Sequence, residues 1–116
     1  MLSIMIHGVR GSIPTTGKSF SKYGGNTTCF EIETEDSQIF IDAGTGFSSA
    51  PIGKHKKKVY LLFTHLHHDH LQGLLFNPRL FTQNQEIIVS SALMDGVKLK
   101  QHLSEYFSPP FFPPSI

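Results

Sequence analysis

The chain has 116 residues, a formal net charge of +1 and 16% charged residues, below the ~25% of ordinary domains. So weak a charge gives no strong patch for nucleic acid and no pull toward an anionic membrane surface. One cysteine, Cys29, excludes an internal disulfide and fits a reducing compartment.

Residues 3–7 read as a short, mostly apolar strand. The N-terminus lacks the basic segment and apolar stretch of a signal peptide. No apolar run approaches the ~20 residues of a membrane span, so the expectation is one cytoplasmic domain over 1–116. Residues 8–25 form a long loop, punctuated by glycines at 8, 11, 17, 24 and 25 and by Pro14. A loop of that length in a compact domain is functional or disordered. Arg10 is its well-placed cation, either a contact for a substrate phosphate or a solvated or ion-paired loop residue.

Residues 27–34 alternate, with Cys29, Phe30 and Ile32, and residues 38–41 form a second strand, so the two read as a hairpin. Cys29 reads as a small buried hydrophobe. Asp42-Ala43-Gly44-Thr45-Gly46 ends the second strand. The basic run at 54–58 reads as a solvated connector, with attraction of an anionic substrate as the alternative. Residues 59–63, Val-Tyr-Leu-Leu-Phe, are a buried strand. A short helix is predicted over 71–76, stopped by Asn77-Pro78. A strand is predicted at 86–90 and a helix over 92–107, weakened by Gly96, with His102 on its surface. The proline-rich tail at 108–116 is not helical.

Thr64-His65-Leu66-His67-His68-Asp69-His70 follows the 59–63 strand directly and holds four of the seven histidines. In extended backbone, residues two apart point to one side, so His65 and His67 can reach one ion. Imidazole and carboxylate ligands suit zinc, and also iron or manganese. Four ligands in six residues crowd a single tetrahedral centre. They fit better as two pairs, His65 with His67 and Asp69 with His70, on ions roughly 3.5–4 Å apart. The bland alternative is a surface histidine cluster that binds nothing.

Phe63-Thr-His-Leu-His-His-Asp-His-Leu-Gln-Gly73 resembles the metal motif of the metallo-β-lactamase-fold hydrolases. His7-Gly-Val-Arg-Gly-Ser-Ile-Pro14, Tyr23-Gly-Gly-Asn-Thr-Thr28 and Ile41-Asp-Ala-Gly-Thr-Gly46 resemble the phosphodiesterase and tRNA 3′-processing branch. The resemblance runs over roughly residues 2–114, with four motifs in the family's order. It implies an α/β fold, the N-terminal half of a metallo-β-lactamase αββα sandwich. It implies that His65 and His67 bind the first metal and Asp69 and His70 the second, two zinc ions in a complete site, with Asp42 bracing the loop from behind. The activity implied is hydrolysis of a phosphodiester, in a small molecule or nucleotide, by a metal-activated hydroxide. Asp69 is then also the proton acceptor and Arg10 the substrate contact.

The resembling family completes its site with a third His, a bridging Asp and a further His, all from the second half of a fold about twice this length. His7 and His55 lie upstream of the motif, and His102 has no matching context. Three readings follow: a truncated product with half a site, a homodimer or complementing second chain that supplies the missing half, and a metal-binding or assembly protein that does not catalyse. Ten phenylalanines in a weakly charged chain agree with a covered surface, or with compositional scatter.

Overall fold

The computed structural model describes residues 1–82 and 85–112. Five strands form one sheet: β1 (Ser3–Gly8), β2 (Cys29–Glu33), β3 (Ser37–Ile41), β4 (Lys58–Phe63) and β5 (Ile87–Ser91). Their order across the sheet is the chain order. β1, β2 and β3 pair antiparallel, whereas β4 joins β3, and β5 joins β4, in parallel. This mixed pattern follows from the connections. Thr34–Ser37 is too short for anything but a hairpin, while the segments before β4 and β5 are long enough to cross over.

Alternation sorts the strands into two faces. One carries Phe40, Val59, Leu61 and Phe63, all at most 2% exposed. Phe47, Ile52, Leu71 and Leu74 pack on it, with Leu99, Leu103 and Phe107 from helix α2 (Gly96–Tyr106) and the turn that ends it. Phe40 meets Phe47 edge to face, with centroids 5.3 Å apart. Buried Asn77 pins the connection, its Nδ2 donating to the carbonyls of Phe47 and Ala50 at 2.7 and 2.8 Å. Its Oδ1 accepts from the Arg79 amide and so starts the single turn α1 (Arg79–Thr82).

Two expectations change. Residues 71–76 are not a continuous helix: tight 3-10 turns at His68–His70 and Leu74–Phe76 replace it, with Gly73 between them. The predicted helix over 92–107 starts later, because Asp95 caps it by accepting from the Lys98 amide at 2.8 Å. Gly96 is therefore its first residue and interrupts nothing. The basic run is a turn with left-handed backbone at His55 and Lys56. Two of its cations are engaged, with Lys54 and Lys57 within 3.7 and 3.6 Å of Glu33. In the tail, Phe112 packs edge to face on Phe107 while Phe111 stays exposed. Residues 113–116, also assigned to the tail, lie outside the described part.

Candidate metal centre

β3 and β4 run parallel and end together, so the loops that follow them meet. Asp42 begins the first loop. It is 1% exposed and has a φ of 64°, a left-handed conformation that Asp tolerates better than most residues. The bend turns its carboxylate toward the second loop. Oδ1 accepts from the Thr64 amide at 2.9 Å. Oδ2 accepts from the Thr64 hydroxyl at 2.7 Å and lies 2.8 Å from His70 Nδ1. Backbone bonds lock the loops further: Ala43 N–H to His70 O at 2.8 Å and Gly73 N–H to Ala43 O at 2.9 Å.

These contacts fix which ring nitrogens are free. A carboxylate can only accept, so His70 Nδ1 carries the proton and its Nε2 keeps a lone pair. The Thr64 hydroxyl gives its proton to Asp42, and its oxygen lies 3.0 Å from His65 Nδ1. It therefore accepts there, and His65 also presents a bare Nε2. Asp42 orients one ring directly and the other through Thr64.

The rings converge. Centroids of His65 and His67 are 4.4 Å apart, and those of His65 and His70 are 4.2 Å apart. Asp69 Oδ2 lies 3.3 Å from His70 Nε2, and both side chains are 15% exposed. The same oxygen accepts from the Ser12 amide at 2.9 Å, which ties the long 8–25 loop to the motif. That amide, with help from His70 and His65, holds the Asp69 carboxyl below its ordinary pKa. Among the described residues, no set of three or more His, Cys, Asp or Glu side chains is arranged to hold an ion. The four predicted ligands are neighbours pair by pair, His65 beside His67 and His70, and His70 beside Asp69, without closing around one point.

Arg10 is engaged within its own loop. Its Nε donates to the Gly24 carbonyl at 3.1 Å, and its guanidinium stacks on Phe20, 4.6 Å from the ring centroid. It staples the 8–25 loop to itself. The other histidines have separate partners. His7 Nε2 lies 2.8 Å from Oε1 of buried Glu31, whose Oε2 accepts from Gln38. His68 turns from the cluster to the Tyr106 hydroxyl. His102 faces Glu105 across 3.8 Å on α2. The Cys29 thiol is buried in the sheet, and burial, then Glu31 and Asp42, push it up to about 12.

Sequence reasoning assigned no role to Thr64 or to the Ser12 amide. A hydroxyl directly before the first motif histidine was a usable signal for the first. The second depends on how a glycine-rich loop folds back and leaves no mark in residue type.

No family model matches the chain, and no curated protein matches its sequence. Its fold does have a solved counterpart. The chain superposes on a metallo-β-lactamase fold protein, YhfI from Bacillus subtilis, with a TM-score of 0.58 at 16% identity, over 88% of this chain. The sheet is a partial metallo-β-lactamase fold. The match spans 40% of the YhfI chain, so this sequence corresponds to well under half of that protein. At such low identity the likeness speaks for the metallo-β-lactamase fold alone. Within that fold the five-stranded mixed sheet and its flanking helices form the matched portion.

Proposed function

We propose that the chain carries part of the active site of a metal-dependent hydrolase, most readily one acting on phosphodiesters. The observation that carries this reading is the convergence of His65, His67, Asp69 and His70, with the Nε2 atoms of His65 and His70 left bare by Thr64 and Asp42. Imidazole nitrogens beside a carboxylate oxygen are the donor set for zinc, with manganese or iron as substitutes. His65 and His67 would hold one ion, and Asp69 and His70 a second. Such ions, when bound, supply Lewis acidity and lower the pKa of water to about 7.

The chain's own residues do the rest. Asp42 and Thr64 hold the ring orientations. Asp69, kept ionised by the Ser12 amide, is available to take a proton from an attacking water. Arg10 shapes the 8–25 loop, and the face of its guanidinium turned from Phe20 is the part that could meet a phosphate. Each pair of ligands needs further donors for a closed coordination sphere, and those come from outside the described residues, in a second chain or segment. A metal-binding or assembly role without turnover is the reading that remains if those donors are never supplied.

Zinc titration of the purified chain, with turnover of bis(p-nitrophenyl) phosphate, tests the proposal. Near-stoichiometric zinc, lost in His67→Ala together with turnover, is the expected result. Zinc removed by mild dialysis and activity unchanged in His67→Ala would take the motif out of the mechanism.

A further inference from the structure

Tyr106, the end of the chain and the back of the histidine motif enclose a cavity. It holds about 520 Å³, within the ~300–1,000 Å³ of small-molecule sites. It lies on the packed face of the sheet, where Tyr106 and Phe112 rest against the core. Its wall is aromatic. Phe76 and Phe112 meet with centroids 5.9 Å apart and planes tilted by 48°. Phe107 braces Phe112 edge-on and is braced in turn by Tyr106. Phe76 and Phe111 nevertheless keep 64 and 83% of their surface in water. One edge of the cavity is polar. His68 meets the Tyr106 hydroxyl through Nδ1, so its Nε2 is the atom left for a ligand. Gln72 lies beside it, four residues on, its amide bonded to the His68 carbonyl at 3.0 Å. Gln72 Nε2 donates to Thr27 Oγ1 at 3.3 Å, and among the described residues Oε1 has no partner. The Thr45 hydroxyl is already engaged by Asn26 and by the Thr27 amide.

We propose that this cavity binds the base of a nucleotide, stacked on Phe76 with its edge hydrogen-bonded to His68 Nε2 and Gln72 Oε1. Aromatic walls suit any flat ring. The polar edge narrows the class. Gln72 Oε1 can only accept, so the ligand must donate in the plane of its ring, and His68 Nε2 adds a nitrogen that donates or accepts according to tautomer. Purines and pyrimidines carry in-plane donors and acceptors side by side. A benzenoid ring carries neither, and an indole only a donor. No carboxylate, lysine or arginine lines the cavity, so the part bound there is uncharged, as a base is. His68 stands between His67 and Asp69 in the chain, and the 3-10 turn that carries His68 and His70 rises only ~2 Å per residue. A base in the cavity therefore leaves its sugar and phosphate next to the motif. That the nucleotide is a substrate rests on the hydrolase reading above; that the base binds does not.

Titration of the metal-free chain with adenosine, which has no phosphate to reach a metal, tests the base site by itself. Amide shifts at His68, Gln72 and Phe76 should saturate with a Kd of about 1 mM, and the adenine ring protons should show nuclear Overhauser contacts to the Phe76 ring. Phe76→Ala removes an exposed ring and should weaken binding about fivefold or more. His68→Phe keeps a ring without nitrogen and should bring adenosine down to the affinity of indole. His67→Ala should bind adenosine as the wild type does. Zinc binding and turnover without adenosine binding would overturn the base site and leave the hydrolase reading standing, and adenosine binding without zinc would do the reverse. No saturation up to ~20 mM adenosine, wild-type binding of indole as tight as that of adenosine, or an affinity unchanged in Phe76→Ala would each overturn the proposal. Persistent contacts to Phe76 from another stretch of the chain in the ligand-free protein would overturn it as well.

Discussion

Asp42 Oδ2 lies 2.8 Å from His70 Nδ1, and the same oxygen accepts from Thr64 at 2.7 Å. One buried atom thus couples the turn after β3 to the loop after β4. Asp42→Asn separates its charge from its shape, because Asn also tolerates left-handed backbone. The amide must give Oδ1 to the Thr64 N–H, so its NH₂ faces His70. The ring then accepts at Nδ1 and carries its proton on Nε2, the atom left for a metal. Zinc affinity should fall about 10–100-fold, the usual effect of losing an outer hydrogen-bond partner. Competition against a chromogenic chelator measures it, and an unchanged affinity would show that His70 Nε2 is not a donor. Asp42→Ala should in addition lose about 1–3 kcal/mol of folding stability, because the Thr64 amide and hydroxyl and the His70 Nδ1–H lose their buried, charged acceptor.

Thr64 extends this coupling to His65. Thr64→Val keeps the branched shape but removes the oxygen that lies 3.0 Å from His65 Nδ1. His65 should then populate both tautomers, visible in the long-range ¹⁵N correlations of the metal-free protein. Thr64→Ser should restore the single tautomer. If Val and Ser variants give the same spectrum, Thr64 only fills space.

How much of this was legible depends on the range of the contacts. Local pattern placed all five strands to within a residue or two, because the alternation of Phe30 and Ile32 and the short apolar runs Val59–Phe63 and Ile87–Val89 are local properties. The motif's ligand types and spacing were equally local. The stretch from Leu71 to Phe76 misled, because its apolar residues suit a helix while Gly73 and its bond to Ala43 hold it in tight turns. Arg10 was visible as a cation, but Phe20 and Gly24, which occupy it, are paired only by the path of the loop. The Ser12 amide on Asp69 spans 57 residues and involves a backbone group, so no residue type announces it.

That amide gives a pH dependence. Asp69 has a pKa lowered from 3.8, chiefly by the Ser12 N–H. A carboxyl whose folded pKa is depressed binds protons less readily folded than unfolded. Its stabilising contribution is therefore full above the unfolded value and is lost as pH falls through the folded one. The loss lies in the acid limb, at and below about pH 4. Urea unfolding of the metal-free chain between pH 6 and 2 should show a shallower acid limb in Asp69→Asn than in wild type. Identical limbs would mean that the loop bond does not persist in solution. Acid should also release the 8–25 loop before the sheet melts, seen as faster amide exchange at Ser12 than in β4.

The two site loops interlock through a glycine, and that contact sets the last expectation. A Cβ on Gly73 would sit 1.9 Å from the Gly44 carbonyl oxygen and 2.7 Å from its carbon. Both are backbone atoms, held by the bonds Gly73 N–H to Ala43 O and Gly44 N–H to Thr28 O. Gly73 has a φ of −89°, so an alanine there is blocked by space and not by backbone strain. Gly73→Ala must push the Asp42 turn away from the histidine motif, at a cost of at least about 1–3 kcal/mol. Gly11→Ala, in open space, should change stability by less than about 0.5 kcal/mol. Because the displaced turn carries Asp42, Gly73→Ala should also weaken zinc binding more than its stability loss alone explains. Urea midpoints and zinc competition on the two variants decide it, and equal midpoints would show that the loops do not meet as closely as 1.9 Å implies.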